Sequence, residues 1–249
     1  MKSNEELQRH ASELLLSAKS HGSMSLRLLG GVAIRRLFPD PAVKSTLDRI
    51  CKDLDFAVSR RESKGLAAVF SECGFEADRH FNALHGETRL LFAAGELQAD
   101  VFVNEFEQCH KLSLEPRLRV IEESLPPADL LLMKLQVVEM NEKDLQDLCV
   151  ILLGAEIGRT DSPTVINLDY VTALMSRDWG WYTTCMDSLG KLSDYVTERL
   201  SSTEQEMILA KIRDLERLIE ACPKSVKWKM RNAVGRKVPW YQVPEEVRR

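Results

Sequence analysis

The stretch KDLDF, residues 52–56, reads as a β-strand that carries acids on one face. Side chains at positions i and i+2 of a strand leave the same face, so Asp53 and Asp55 are expected to point the same way. Leu54 and Phe56 then point the other way, toward a core. The pattern therefore predicts paired negative charge at a defined place on a sheet.

Two neighbouring stretches add to this pattern. Upstream, SLRLL (25–29) reads as a short strand that ends at Gly30 and Gly31 and runs directly into a helix. Bare glycine backbone and unpaired N–H groups at a helix start form a pocket for phosphate. Downstream, LQADVFV (97–103) places Asp100 in an apolar strand, where an acid is costly unless it is paired or holds a cation.

Three carboxylates beside a phosphate-binding turn predict a site for phosphoryl or nucleotidyl transfer. Hard cations such as Mg²⁺ take oxygen ligands, and two ions about 3.5–4 Å apart clamp the attacking and leaving oxygens. Asp53 and Asp55 would hold the ions that carry the nucleotide's phosphates. Asp100 would hold the ion that activates the acceptor hydroxyl, or would help to take its proton. The alternative is that Asp100 is ion-paired with an arginine such as Arg89 and that the other two acids lie on a solvated strand edge.

The first half of the chain is predicted to mix helices and strands in one α+β domain. An amphipathic helix opens it, and TRLLFAA (88–94) and LQADVFV (97–103) read as a hairpin that turns at Gly95 and Glu96. We expect a mixed sheet with flanking helices over residues 1–123.

The second half is patterned for helices. From Pro126 onward apolar residues recur at helical spacing, Asn141 is suited to cap one helix, and Ser201 or Ser202 is suited to cap a later one. We therefore expect a mostly helical domain over residues 124–249.

Composition sets limits on function. With 249 residues, 44% apolar and 29% charged, the chain is typical of a soluble globular protein, and its net charge of −4 shows no basic excess that would indicate nucleic acid. Neither a signal peptide nor a membrane-length apolar run is evident, so we expect a cytoplasmic protein without a membrane partner. The cysteines lack the spacing of zinc ligands and indicate no disulfide framework. They are Cys51, Cys73, Cys109, Cys149, Cys185 and Cys222.

Lys134 is a further candidate. At helical spacing it shares a stripe with Leu131, Leu135 and Val138, which is an unusual place for an ammonium group unless it reaches a phosphate. There it would neutralise triphosphate charge. Equally, its stem could pack in the core while the charge escapes to water.

The motif order resembles that of a known superfamily. LLGG (28–31), DLDF (53–56) and ADVFV (99–103) are similar to the motifs of the nucleotidyltransferase superfamily of DNA polymerase beta. The likeness is closest to bacterial toxin-type nucleotidyltransferases of the abortive-infection group, in which an Arg-x-Ser/Thr-x stretch precedes the Asp-x-Asp motif. Residues 49–52 occupy that place here.

The resemblance implies a nucleotidyltransferase fold in which Gly30, Gly31 and Arg49 contact the nucleotide. Two positions depart from the family pattern. Cys51 stands where a hydroxyl residue is usual, and Gly31 stands where other members have a serine that contacts phosphate. Each departure removes a polar contact to the nucleotide, and neither removes a carboxylate.

The helical half continues the resemblance. The toxin-type group has a lysine on one helix and a Lys/Arg-Asp-x-x-Asp stretch on the next, matched by Lys134 and by residues 143–147. DWGWYTT (178–184) and KWKMRNAVGRKVPWY (227–241) look like stretches of an uncharacterised bacterial branch. Lys143, Asp144 and Asp147 are thereby implied to support nucleotide binding. A surface pair between Lys143 and Asp147 is the alternative.

The segment 224–237 holds six basic residues, no acid and Trp228. Basic residues with aromatics suit phosphates and stacked bases, which is one reason to consider an RNA acceptor. The competing interpretation is a solvated face whose tryptophan packs into the core. Trp179 and Trp181 are predicted to be core residues.

Together these features predict an enzyme that transfers a nucleoside monophosphate from an NTP, such as ATP, to an acceptor hydroxyl with two Mg²⁺ ions. A tRNA end, a protein side chain or a small molecule such as an aminoglycoside could be the acceptor, and a toxin-type enzyme could have an antitoxin partner. A non-catalytic module that keeps the fold, with or without a bound nucleotide, is the alternative.

Overall fold

Strands of both directions share one sheet in the first part of the chain. The structure is a computed structural model that describes residues 3–22, 24–39, 47 and 49–243. Among the described residues, two compact units form. The first holds the chain up to Pro39, Arg49–Phe106 and Leu112–Pro126, and the second holds Glu107–Lys111 and the chain from Pro127. The boundary expected at residue 123 stays a prediction.

The first unit is an α+β structure built on a five-stranded mixed sheet. Its elements are α1 (Asn4–Ser20), β1 (Arg27–Leu29), α2 (Gly30–Leu37), β2 (Leu54–Val58), α3 (Arg60–Ser63), α4 (Leu66–Glu72), β3 (Glu76–Ala77), α5 (Arg79–His85), β4 (Arg89–Ala94) and β5 (Leu97–Val103). The strand order is β1-β2-β5-β4-β3, in which β2 and β5 are parallel and the other pairs are antiparallel.

One face of the sheet carries the core of this unit. Phe56 on β2 packs edge-on against Phe70 of α4, with ring centroids 6.0 Å apart, and Phe70 stacks on Phe92 of β4 at 4.0 Å. All three rings are buried. Because side chains alternate along a strand, this packing sets Asp55 on the opposite face of the sheet.

The predicted hairpin is confirmed. Gly95 adopts a positive φ of 61°, a conformation that glycine takes without steric cost, and Ala94 pairs with Leu97 across the turn. A second, shorter hairpin of β6 (Glu105–Glu107) and β7 (Lys111–Ser113) follows, and a 3₁₀ turn (Glu115–Arg117) comes after it.

The second unit is mostly helical, as the sequence predicts. Its elements are α6 (Pro127–Leu135), α7 (Glu142–Gly154), β8 (Glu156–Gly158), β9 (Val165–Asn167), α8 (Leu168–Arg177), α9 (Trp179–Arg199), α10 (Ser202–Ala221), α11 (Val226–Val234) and a 3₁₀ turn (Gly235–Lys237). Asn141 caps α7 and Ser201 caps α10, both in capping boxes. The apolar stripe of α10 is buried, and so are Trp179 and Trp181.

Several features of the fold were not predicted from the sequence. After β2, Lys64 and Gly65 separate the short helix α3 from α4. Helix α5, capped by Asp78, and the parallel pair of β8 and β9 have patterns too short for periodicity to reveal.

No described helix has both the length and the apolar composition needed to cross a membrane. All six cysteines carry free thiols. Burial raises the pKa of Cys185 above its ordinary value, and it raises the pKa of Cys149 to about 12. These two thiols are therefore held in their unreactive, protonated form.

Candidate active site

The turn from β1 into α2 requires glycine at position 30 for two reasons. Gly30 has a φ of +70°, which L side chains rarely adopt, and a Cβ there would lie 2.3 Å from Oδ2 of Asp55. The strand register explains the closeness, because Leu29 at the end of β1 pairs with Asp55 of β2. The chain therefore passes the Asp55 carboxylate at contact distance before α2 begins.

Asp55 and Asp100 occupy paired positions on adjacent strands. In the parallel register of β2 and β5, Asp55 is the direct partner of Asp100, so both side chains leave the same face of the sheet. Asp55 is half-buried, while Asp100 is only 2% exposed. Two of the three predicted carboxylates thus meet beside the Gly30 turn.

Arg89 of β4 holds the buried acid of this pair. Its Nη2 lies 2.8 Å from Oδ1 of Asp100, and its Nε donates a hydrogen bond to the same oxygen at 2.9 Å. The guanidinium also lies over the ring of Phe102, 5.3 Å from its centroid. This ion pair between Asp100 and Arg89 is the one expected from the sequence as the alternative to a cation held by Asp100.

The second glycine, Gly31, leaves space for the guanidinium of Arg49. A Cβ on Gly31 would lie 2.4 Å from Nη2 of Arg49 and 3.0 Å from Sγ of Cys51. Asn4, at the start of α1, fixes this segment by donating to the Arg49 carbonyl and accepting from the Cys51 N–H, each at 2.9 Å. Sequence reasoning did not single out Asn4, whose role depends on contacts 45 and 47 residues away.

The start of α2 therefore lies against an acid and a guanidinium. Leu29, at its N-cap, makes no side-chain capping hydrogen bond. N–H groups at such a helix start favour an anion.

A divalent ion does not fit these residues as they are arranged. Asp53 precedes β2 and is half-buried. Within the described chain, no group of three acidic, histidine or cysteine side chains is placed to hold a metal. Oδ1 of Asp100 already accepts from a guanidinium, whose positive charge opposes a cation at the same oxygen.

The remaining predicted residues form a cluster in the second unit. Nζ of Lys134 on α6 lies 2.8 Å from Oδ1 of Asp144 and 2.9 Å from Oδ2 of Asp147, both on α7. Burial alone would lower the pKa of Lys134, but the charges of Asp147 and then Asp144 outweigh it and leave the pKa raised. Lys134 is therefore charged at neutral pH, held by two carboxylates instead of extending to solvent.

The Lys143 side chain is exposed at the start of α7. The backbone N–H of this residue donates to Oδ1 of Asn141 at 2.9 Å. The alternative of a surface pair between Lys143 and Asp147 does not hold, because the Asp147 side chain is fully buried against Lys134. The predicted nucleotide-binding roles of Lys134, Lys143, Asp144 and Asp147 stay predictions.

No family model matches the chain, and no curated protein matches it. Among solved structures, the chain is similar to the crystal structure of ANT(2")-Ia in complex with adenylyl-2"-tobramycin. The two share 13% sequence identity at a TM-score of 0.38, over 56% of this chain and 83% of that one.

Proposed function

We propose that the protein is a nucleotidyltransferase that moves a nucleoside monophosphate from an NTP to an acceptor hydroxyl and releases pyrophosphate. The observation that carries the proposal is the placement of Asp55, which lies against the Gly30 turn and beside Asp100. A carboxylate pair next to a helix N-terminus places a proton acceptor close to a phosphate-binding position.

The residues of the first unit suit separate roles in that reaction. The N–H groups at the start of α2 would hold phosphate oxygens, and the Arg49 guanidinium at Gly31 would offset their charge. Asp55 is the more exposed acid of the pair and would accept the proton of the attacking hydroxyl. As that oxygen bonds to the α-phosphorus, the bond to pyrophosphate breaks.

Mg²⁺ dependence is a separate part of the proposal. Because Arg89 occupies Asp100, a divalent ion there would have to displace a guanidinium. If the reaction requires Mg²⁺, with Asp53, Asp55 and Asp100 as ligands, labelling should disappear in EDTA and return with excess Mg²⁺. Labelling that persists in EDTA would rule out the metal role.

The Arg89 contact favours a second function, a non-catalytic module that keeps the fold and binds a nucleotide. An acid that is 2% exposed and bound to arginine is poorly placed to meet a substrate. This protein would bind NTP without forming a product. NTP binding by calorimetry, measured beside the labelling assay, separates the two functions.

The test of transfer is incubation of the protein with each radiolabelled NTP, Mg²⁺ and total cell extract. Label on RNA, on protein or on a small molecule would identify the acceptor class. We expect Asp55→Asn to reduce labelling to the level without enzyme at nearly unchanged thermal stability. The matched control is Asp78→Asn. Asp78 caps α5 through its side-chain oxygen, and an asparagine at this position can do the same. A fully active Asp55→Asn protein would refute the assignment.

The toxin-type role and an antitoxin partner belong to the same proposal and need their own observation. Expression of the wild-type chain should arrest growth of the host, and Asp55→Asn should relieve the arrest. An antitoxin would then be found as a co-expressed protein that restores growth.

A further inference from the structure

A cavity of about 400 Å³ lies within the second unit, lined by tryptophan, tyrosine and basic residues. Its walls come from the end of α8, the start of α9, helix α11, residues 107–111 and residues 239–242. Small-molecule sites typically span about 300–1,000 Å³, so the volume suits a nucleotide-sized ligand. The basic segment singled out in the sequence, residues 224–237, contributes one side of it.

The walls of the cavity are fixed by specific contacts. The Arg231 guanidinium lies 4.6 Å from the centre of the Trp179 ring and donates hydrogen bonds to the Gly235 and Val238 carbonyls at 2.6 and 2.8 Å. Beyond that turn, the Gln242 N–H donates to the Cys109 carbonyl at 3.0 Å. The segment that follows α11 is thus held in place as a wall.

Half-buried aromatic rings line this cavity. Trp240 and Tyr241 pack edge to face with centroids 5.2 Å apart, and Trp228 packs in the same way against Tyr182 at 5.2 Å. Trp228, Trp240 and Tyr241 are each half-buried, whereas Trp179, which also lines the cavity, is buried. Aromatic rings that keep part of their surface accessible are platforms on which unstacked bases bind.

Basic side chains at the cavity are available for phosphate. Arg177 and Lys227 are both exposed, and within the described residues neither forms an ion pair. The acid beside Arg177 is Asp178, which accepts from the Trp181 N–H at 3.1 Å as the cap of α9. Lys111 faces Glu107 at 3.8 Å.

We propose that this cavity binds a nucleotide unit of single-stranded RNA. The base stacks on the Trp228, Trp240 and Tyr241 side of the cavity, and the flanking phosphates contact Arg177 and Lys227. Stacking needs a base free of its own helix, which excludes duplex RNA as the preferred ligand. The site needs no transfer chemistry, so the proposal goes beyond the proposed function and stands without it.

The experiment is a titration of the full chain with a fluorescein-labelled single strand of about eight ribonucleotides, read by anisotropy. We expect the double variant Arg177→Gln, Lys227→Gln to weaken binding by about tenfold and to reduce the salt dependence by roughly two phosphate contacts. Lys229→Gln is the matched control, an exposed lysine of the same helix outside the cavity lining, and should change binding by less than about twofold.

Two further measurements separate the possible sources of the ligand. Uridine monophosphate should quench tryptophan fluorescence, since three of the four tryptophans line the cavity. If it competes with the labelled strand only weakly, RNA is the ligand, and if it binds more tightly than the strand, a free nucleotide is the ligand.

The proposal is overturned if the double variant binds the strand as well as Lys229→Gln does, or if duplex RNA binds as tightly as the single strand. Tyr241→Leu should also weaken binding without altering the salt dependence. Asp55→Asn should bind the strand normally, so a failure here is distinct from a failure of the transferase assignment.

Discussion

Two clusters of buried acids in this protein differ in how far the cation that pairs with them is exposed to solvent. In the sheet unit, Asp100 is paired with Arg89, whose side chain is 28% exposed. In the helical unit, Lys134 lies between Asp144 and Asp147, and the three side chains are 17%, 11% and 0% exposed. The Arg89 side chain of the first cluster is therefore partly exposed to solvent, whereas the second cluster is largely buried.

This difference indicates in which cluster the cation could exchange its carboxylate for another anion. An arginine at the edge of solvent can exchange one anion for another at modest cost, because water solvates it during the exchange. A lysine enclosed by two carboxylates has no such route, and separating it from them leaves buried charge unpaired. We therefore infer that Asp100 becomes accessible only where another anion takes its place on Arg89, whereas the Lys134 cluster holds α6 against α7.

The largest effect is expected for Lys134→Met. Removing the ammonium leaves two buried carboxylates facing each other, and breaking a buried ion pair in this way costs about 3–5 kcal/mol of unfolding free energy. Urea denaturation measures the loss. Lys143→Met, an exposed lysine on the same pair of helices, is the control and should stay near wild type. A loss of about 2 kcal/mol or less for Lys134→Met would show that this cluster is as open to water as that of Asp100.

A smaller loss is expected for Arg89→Met, about 2 kcal/mol, since the buried Asp100 loses its contacts with the guanidinium while water can still enter from the arginine side. Adding Asp100→Asn should recover at least half of the loss, because the buried negative charge is then gone. If the double variant is no more stable than the single one, the charge of Asp100 is not what Arg89 balances.

Gly30→Ala should cost about 1–3 kcal/mol and should reduce nucleotide transfer, because the residue has a positive φ and its new Cβ would press on Asp55. Gly74→Ala isolates the backbone contribution, since Gly74 has a φ of +79° and a Cβ there would meet no atom within 4 Å. The difference between the two variants in thermal unfolding is the cost of displacing Asp55. Equal losses would mean that the carboxylate moves aside freely.

The smallest effect concerns pH and arises in the helical unit. Burial lowers the pKa of His110 to about 4, with the charge of Asp178 opposing the change. The folded pKa is lower than the unfolded value, so stability is full above about pH 6.5 and is lost as the pH falls toward 4, by about 1–2 kcal/mol at pH 5. His110→Gln should remove this part of the pH dependence in urea unfolding. A wild-type slope retained in the variant would assign it to other groups.

Local patterns made much of the fold predictable. The two-residue turn at Gly95 and Glu96 sets the register of β4 and β5, so Leu91 pairs with Asp100 and Arg89 lies on the diagonal, two residues away. Capping residues such as Asn141 act through neighbours three residues away, which sequence alone displays.

Pairing between distant segments was not predictable in the same way. A slip of one residue between the parallel strands β2 and β5 would place Asp55 and Asp100 on opposite faces, and no turn links these strands to set the register. The partner of Lys134 could not be predicted either, because an ammonium group on an apolar stripe can face water, a phosphate or another helix.

By itself, the sequence determined the types of the longer elements, the hairpin, the helix caps and the glycines at the start of α2, because each depends on residues a few positions apart. Only the tertiary structure decided that Asp100 lies between Asp55 and Arg89, that Lys134 is enclosed by Asp144 and Asp147, and that aromatic and basic residues line a cavity. Those arrangements depend on which faces pack together, and the free energy of packing is a property of the whole chain.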